Sequence, residues 1–326
     1  MSDLSNINHA LVLSGGGAKG KYQVGALKVL TKMFDYDYIS GVSVGALNAA
    51  MLATANADKL LDVWLNIRGN KDIYKGGFKV FNMIRILFGQ RYWYSNKPLV
   101  RLMWEHLDLD NCHTPFSVGV VSLNTGRYLR YTYRPNGVLT VSNRYEIIGE
   151  AKGEEAKERM FDAILASTAI PVAFPPVKSN EQLYVDGGAR DVSPLSDAIY
   201  KQPNHITIIN CSRHNPSYDS ISMSRFSGLL AILRVATRSL DIVMSEIIRN
   251  DIAGFLNKNH IVKQTDAPVY NKNGKEYKYF KHLLIEPTTY IGDTLDFSPD
   301  SISRGINVGI RDASKAIEKT ITKNKK

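Results

Sequence analysis

Gly41-Val42-Ser43-Val44-Gly45 closes a short apolar run, Tyr38–Val42, and opens a stretch of small residues that includes Ala46, Ala49 and Ala50. A serine between two glycines at a strand-to-helix corner projects its hydroxyl from a tight turn, and the glycines relieve crowding around it. Working outward, His9–Leu13 is a second apolar strand, which runs straight into Ser14-Gly15-Gly16-Gly17-Ala18-Lys19-Gly20. From Ala18 to about Met33 the apolar residues Val24, Leu27, Val29 and Leu30 follow helical spacing. Strand, helix, strand, helix in this order predicts an α/β fold, with a central mostly parallel sheet flanked by helices on both faces.

Downstream, residues 58–107 read as mostly helical, interrupted by Phe78–Phe88 and the aromatic triplet Tyr92-Trp93-Tyr94. Phe116–Leu123 and Arg127–Tyr133 flank the turn signal Asn124-Thr125-Gly126 and predict a hairpin. Helix is expected at Glu154–Ser167, Ser224–Phe255 and Ser301–Ile321, with short strands at Leu183–Val185 and His205–Asn210. Asn273-Gly274 predicts a second hairpin. With no internal repeat and no Pro, Gly and Ser-rich linker, residues 1–326 are expected to form one domain.

Composition narrows the function classes. An apolar content of 44% and a charged content of 22% are those of a folded globular chain. No apolar window is long enough to span a bilayer, and the polar start Ser2–Asn8 is unlike a secretory signal. Cys112 and Cys211, the only two cysteines, provide neither a disulfide framework nor a tetrahedral metal site, and point to a reducing, cytoplasmic setting. The seven histidines show no metal-ligand spacing, so no metal or other cofactor is expected. A net charge of +10 is compatible with attraction to anionic lipid. Basic residues are spread along the chain, with local clusters at Lys272–Lys281 and Lys319–Lys326; charge alone motivates a nucleic-acid binder as an alternative, and a nucleic-acid partner is not expected.

Gly15, Gly17 and Gly20 spell the G-x-G-x-x-G of a dinucleotide site. The second strand, however, ends in Ser40-Gly41-Val42-Ser43, without the carboxylate that holds a ribose. Gly15 through Gly20-Lys21 nearly spells a P-loop, but Tyr22 stands where magnesium needs a serine or threonine. A glycine run at a helix N-terminus also suits a tetrahedral oxyanion, because converging N–H groups and the helix dipole favour negative charge.

A serine hydroxyl needs a base. The elbow follows only the second predicted strand, too early for an α/β-hydrolase, although His205, His214 and His260 lie downstream and leave a triad open. His205 begins an apolar strand, as a structural histidine would. Asp186 ends a short strand and precedes Gly187-Gly188, which permit close backbone approach; read alone, Asp-Gly-Gly is also a common turn. As a base, the aspartate would need its pKa raised by a dry environment.

Together these pieces resemble the patatin-like phospholipases. The resemblance rests on Gly15-Gly16-Gly17-Ala18-Lys19-Gly20, on Gly41-Val42-Ser43-Val44-Gly45 and on Asp186-Gly187-Gly188. A fourth block, Ala166-Ser167-Thr168-Ala169-Ile170-Pro171 leading to Phe174-Pro175-Pro176-Val177, precedes the aspartate. The match runs over about residues 8–200. It implies a three-layer α/β/α fold and a Ser–Asp dyad without histidine. It further implies Ser43 as nucleophile, Asp186 as base, and an oxyanion hole from the backbone of Gly15, Gly16 and Gly17. The expected reaction is fatty-acyl ester hydrolysis of the phospholipase A or lysophospholipase type, with peripheral contact to an anionic membrane. An acyltransferase using the same dyad and a non-catalytic lipid-binding regulator are the competing expectations. Phe78–Phe88 with Tyr92-Trp93-Tyr94 fits either an interfacial lid or a buried core helix. One departure is visible: Asp191-Val192-Ser193-Pro194 stands where many members carry Asn-x-Pro, which questions the support of the aspartate loop.

Overall fold

The structure, a computed structural model, describes residues 7–76, 92–143, 146–213, 229–265, 267–270 and 276–324. The chain opens with β1 (His9–Leu13), a 3-10 turn at Gly17–Lys19 and helix α1 (Gly20–Leu30). There follow β2 (Tyr38–Val42), α2 (Val44–Thr54) and α3 (Ala57–Leu65). A two-residue ribbon pairs β3 (Lys75–Gly76) with β4 (Tyr94–Ser95), and α4 (Lys97–His106) comes next. The expected hairpin is β5 (Phe116–Ser122) with β6 (Tyr128–Tyr133), extended by β7 (Val138–Ser142) and β8 (Ile147–Lys152). After α5 (Gly153–Ser167) come β9 (Val177–Ser179), β10 (Gln182–Asp186), α6 (Leu195–Tyr200) and β11 (His205–Ile209). The long helix α7 (Leu229–Gln264), β12 (Lys281–Ile285) and α8 (Pro299–Asn324) complete the described chain.

The sheet runs β12-β11-β1-β2-β5-β6-β7-β8, parallel from β12 to β5 and antiparallel beyond, with β10 paired to β5 and β9 to β10. Along β1 the side chains alternate between two cores. Leu11 and Leu13 point to the side of α1, α2, α3 and α8, whereas Ala10 and Val12 point to α6 and α7. Because both faces are covered, the parallel strands are almost wholly apolar, and a strand such as β2 is buried throughout. The result is the three-layer α/β/α arrangement.

Several expected elements fall outside the described residues: Phe78–Phe88, His214, the start of the Ser224–Phe255 helix and the Asn273-Gly274 turn. An antiparallel bridge pairs Tyr270 with Glu276.

Candidate active site

β5 is longer than its neighbour β2, and that inequality builds the site. β2 pairs with the first part of β5, Val42 standing opposite Gly119. β10 runs antiparallel along the remainder of β5, and Asp186 stands opposite Val120. The other edge of β5 is taken by β6, so β2 and β10 share one edge and abut end to end. The residue after β2 is Ser43, and the last residue of β10 is Asp186. Pairing register thus brings together two motifs far apart in sequence, at the carboxyl ends of the parallel strands where α/β sheets hold ligands.

Ser43 has φ 58° and ψ −128°, backbone angles that burden a non-glycine residue by about 1–3 kcal/mol. The surrounding packing fixes this corner. A Cβ on Gly41 would strike the Gly45 carbonyl, and one on Gly45 would strike the Leu13 carbonyl, so the two motif glycines are required by close backbone approach. The Ser43 N–H donates to Ser167 Oγ at 2.8 Å, and the Ser167 hydroxyl donates to the Gly119 carbonyl at 2.7 Å. The nucleophile candidate is therefore pinned to β5 through one side chain at the end of α5. Ser43 is 2% exposed and sits at the N-terminal, positive end of α2.

Asp186 is equally withdrawn from solvent, and burial pushes its pKa up to about 7, with the Ser43 hydroxyl and the Gly188 N–H drawing it back down. Its Oδ1 accepts the Gly188 N–H at 2.7 Å. Its Oδ2 is buried with no hydrogen bond of full geometry, so the Ser43 hydroxyl acts on the carboxyl from nearby without closing a tight bond. No cation pairs with this carboxyl among the described residues.

The three loop glycines divide. The Gly15 N–H donates to the Val192 carbonyl at 2.9 Å and is committed within the fold. The N–H groups of Gly16 and Gly17 have no acceptor among the described residues. Gly17 has φ 56°, and a Cβ there would strike the Thr294 carbonyl. The Asp191–Pro194 stretch, whose departure from Asn-x-Pro questioned its role, does hold the aspartate loop. Asp191 N–H donates to the Gly187 carbonyl at 3.0 Å, and Ser40 Oγ to the Pro194 carbonyl at 3.2 Å.

Ser43 and Gly17 open onto an apolar cavity. Its walls come from α2 (Leu47, Met51), α3 (Leu60, Trp64) and α4 (Leu99, Met103). Thr294, Leu295 and Phe297 close another side, and Phe297 stacks on Trp64 with ring centroids 6.1 Å apart. Tyr94 of the aromatic triplet packs against Tyr74 and Phe174 at 4.9 and 6.2 Å.

Of the three downstream histidines, the two among the described residues, His205 and His260, are not near this site. His205 lies at the amino end of β11, opposite His9 of β1, at the far end of the sheet from Ser43. His260 is exposed on α7. Sequence reasoning missed three contributors. Ser167 lies within the Ala166–Pro171 block, but nothing local marks its bond to Ser43. His106 lines the cavity and Thr294–Phe297 forms a wall of it; neither carries a motif.

The sequence profile described as patatin-like phospholipase matches residues 11–199. Patatin-15 and Patatin-B1 of Solanum tuberosum are each 28% identical to the chain over 251 residues, covering 68% of it. The chain spans 58% of the length of these relatives. Among solved structures, VipD from Legionella pneumophila aligns at a TM-score of 0.41 and 14% identity, over 96% of this chain and 67% of VipD. Human GIVD cytosolic phospholipase A2 aligns at 0.44 and 10% identity, over 98% of this chain and 59% of that one.

Proposed function

Since the chain belongs to the patatin-like phospholipase family, we propose that it is a lipid acyl hydrolase of the phospholipase A or lysophospholipase type, working through a Ser43–Asp186 dyad. The observation that carries the reading is a strained serine on the wall of an apolar cavity, beside a buried carboxyl held near pKa 7.

The acyl chain enters the cavity and places its ester carbonyl between Ser43 Oγ and the glycine loop. Ser43 Oγ attacks the carbonyl carbon while its proton passes to Asp186 Oδ2. The oxyanion is received by the Gly16 and Gly17 N–H groups, since the Gly15 N–H is already engaged. The tetrahedral intermediate collapses, the C–O bond to the alcohol breaks, and Asp186 returns the proton to the departing oxygen. A water then attacks the acyl-enzyme, Asp186 takes its proton and passes it to Ser43 Oγ as the fatty acid leaves. A carboxyl with pKa near the working pH is suited to both halves of this cycle.

The substrate is a phospholipid, lysophospholipid or related fatty-acyl ester, met at a membrane surface whose anionic lipids the +10 charge attracts. The test is a panel of phospholipid, lysophospholipid and monoester substrates with wild type and Ser43→Ala, together with labelling by a serine-reactive phosphonate. Wild type is expected to label and turn over, and folded Ser43→Ala to do neither. Labelling of Ser43→Ala at wild-type rate would overturn the assignment.

A further inference from the structure

The side chain of the near-P-loop lysine, Lys21, is fully buried, a place seldom given to lysine. Among the described residues it forms no ion pair. Its Nζ donates to the Asp296 carbonyl at 3.1 Å and to Ser301 Oγ at 2.5 Å. Both partners belong to a C-terminal stretch that passes over the glycine loop. The same stretch accepts the Ala18 N–H on the Thr294 carbonyl at 2.7 Å, immediately beside Gly17. It is fastened to the cavity side as well: Tyr74 OH donates to the Leu295 carbonyl at 2.9 Å, and the Phe297 N–H to Asn70 Oδ1 at 2.8 Å.

Burying an ammonium is expensive, and an apolar side chain would fill this position on α1 at lower free-energy cost. What the amine adds is direction. It ties residues 294–301 to the helix that begins at the glycine loop, while Ala18 ties the same residues to the loop itself. We infer that Lys21 is a positioning residue: its ammonium clamps the 294–301 stretch onto the glycine loop and so fixes where the Gly16 and Gly17 N–H groups point. The effect on rate rests on the acyl-hydrolase reading; the clamp rests on the contacts alone.

Two variants and two readouts test this. Lys21→Met keeps the apolar stem and removes the charge, and Ser301→Ala removes one partner only. With a soluble short-chain ester, Lys21→Met is expected to lower kcat per phosphonate-titrated site by about 10–100-fold, a fraction of the loss from deleting an oxyanion donor outright. Its KM should stay within about twofold, because the cavity walls still bind the acyl group. Ser301→Ala should show the same split at about threefold, and it covers the case in which Lys21→Met does not fold. Unchanged kcat per titrated site, with only a lower melting temperature, would reduce Lys21 to a structural role and overturn the inference. Hydrogen exchange of the peptide containing Gly16–Ala18 provides the second readout, independent of turnover. Faster exchange in the variants supports the clamp, and unchanged exchange sinks it. Wild type that neither labels nor turns over any ester would sink the acyl-hydrolase reading, while the exchange result still decides the clamp.

Discussion

Asp186 and Asp197 lie close in sequence and are both buried, yet the chain treats them in opposite ways. Asp197 accepts a 2.6 Å ion pair from Arg130 and further hydrogen bonds from Tyr128 and Ser196. Asp186 has one backbone N–H, a neighbouring serine hydroxyl and an otherwise unsatisfied oxygen. Paired with a counter-charge, Asp197 holds secondary structure together, joining α6 to β6. An uncompensated buried carboxyl keeps its proton to higher pH, which equips it to exchange protons with a neighbour. Burial alone therefore does not distinguish these two carboxyls; the Arg130 counter-charge does.

Substitutions at the two positions should separate these roles. Asp186→Asn is expected to lower turnover by about 10²–10⁴-fold, the usual contribution of a general base, with a melting temperature at or above wild type. Wild-type turnover in this variant would break the dyad. Asp197→Ala leaves the Arg130 charge buried and unpaired, and should lower unfolding free energy in urea by about 3–5 kcal/mol. Its turnover per folded molecule should stay within a few-fold of wild type; the reverse pattern, a stable but inactive protein, would exchange the two assignments.

A pH profile sharpens the contrast. Asp186 must be ionised to take the Ser43 proton, so kcat/KM should rise with pH and level off above about 7. A plateau already reached at pH 5 would show a carboxyl far more acidic than its surroundings dictate. Stability carries the opposite sign. The folded pKa of Asp186 lies above the unfolded value, so the native state binds more protons between about pH 4 and 7. The stability contributed by that proton is present at low pH and lost as pH rises through about 7. Asp186→Asn lacks this term, so its advantage over wild type should grow by roughly 2–3 kcal/mol from pH 5 to 7. A constant difference across that range would mean that Asp186 is compensated after all.

How much of this was legible in the sequence depends on whether a constraint is local. His9–Leu13, Tyr38–Val42 and the hairpin through Gly126 follow from hydrophobic runs and turn residues, and the structure forms each of them. The glycines at 41 and 45 were legible because a Cβ there meets neighbouring backbone, a demand that leaves its mark on residue type. By contrast, β7 and β8 were not anticipated: Val138–Ser142 is short, and Ile147–Lys152 is mostly exposed, leaving little apolar alternation to read. The division among the loop glycines was invisible too, since it turns on the Val192 carbonyl reaching Gly15 from a distant segment. Thr294–Phe297 and the Arg130–Asp197 pair likewise join residues far apart, and no spacing rule connects them.

The abutment of β2 and β10 on β5 gives the Ser43–Asp186 juxtaposition a mechanical tolerance. The gap between Ser43 and Asp186 is gauged by a single step of β5 backbone, Gly119 to Val120, and one strand residue rises about 3.3 Å. Loops on either side can lengthen, drift or be exchanged without altering that gap. A one-residue slip of β10 against β5 would open it by a full hydrogen-bond length and turn the aspartate to the other face of the sheet. Drift in the surroundings is thus tolerated, and a single slipped pairing is not.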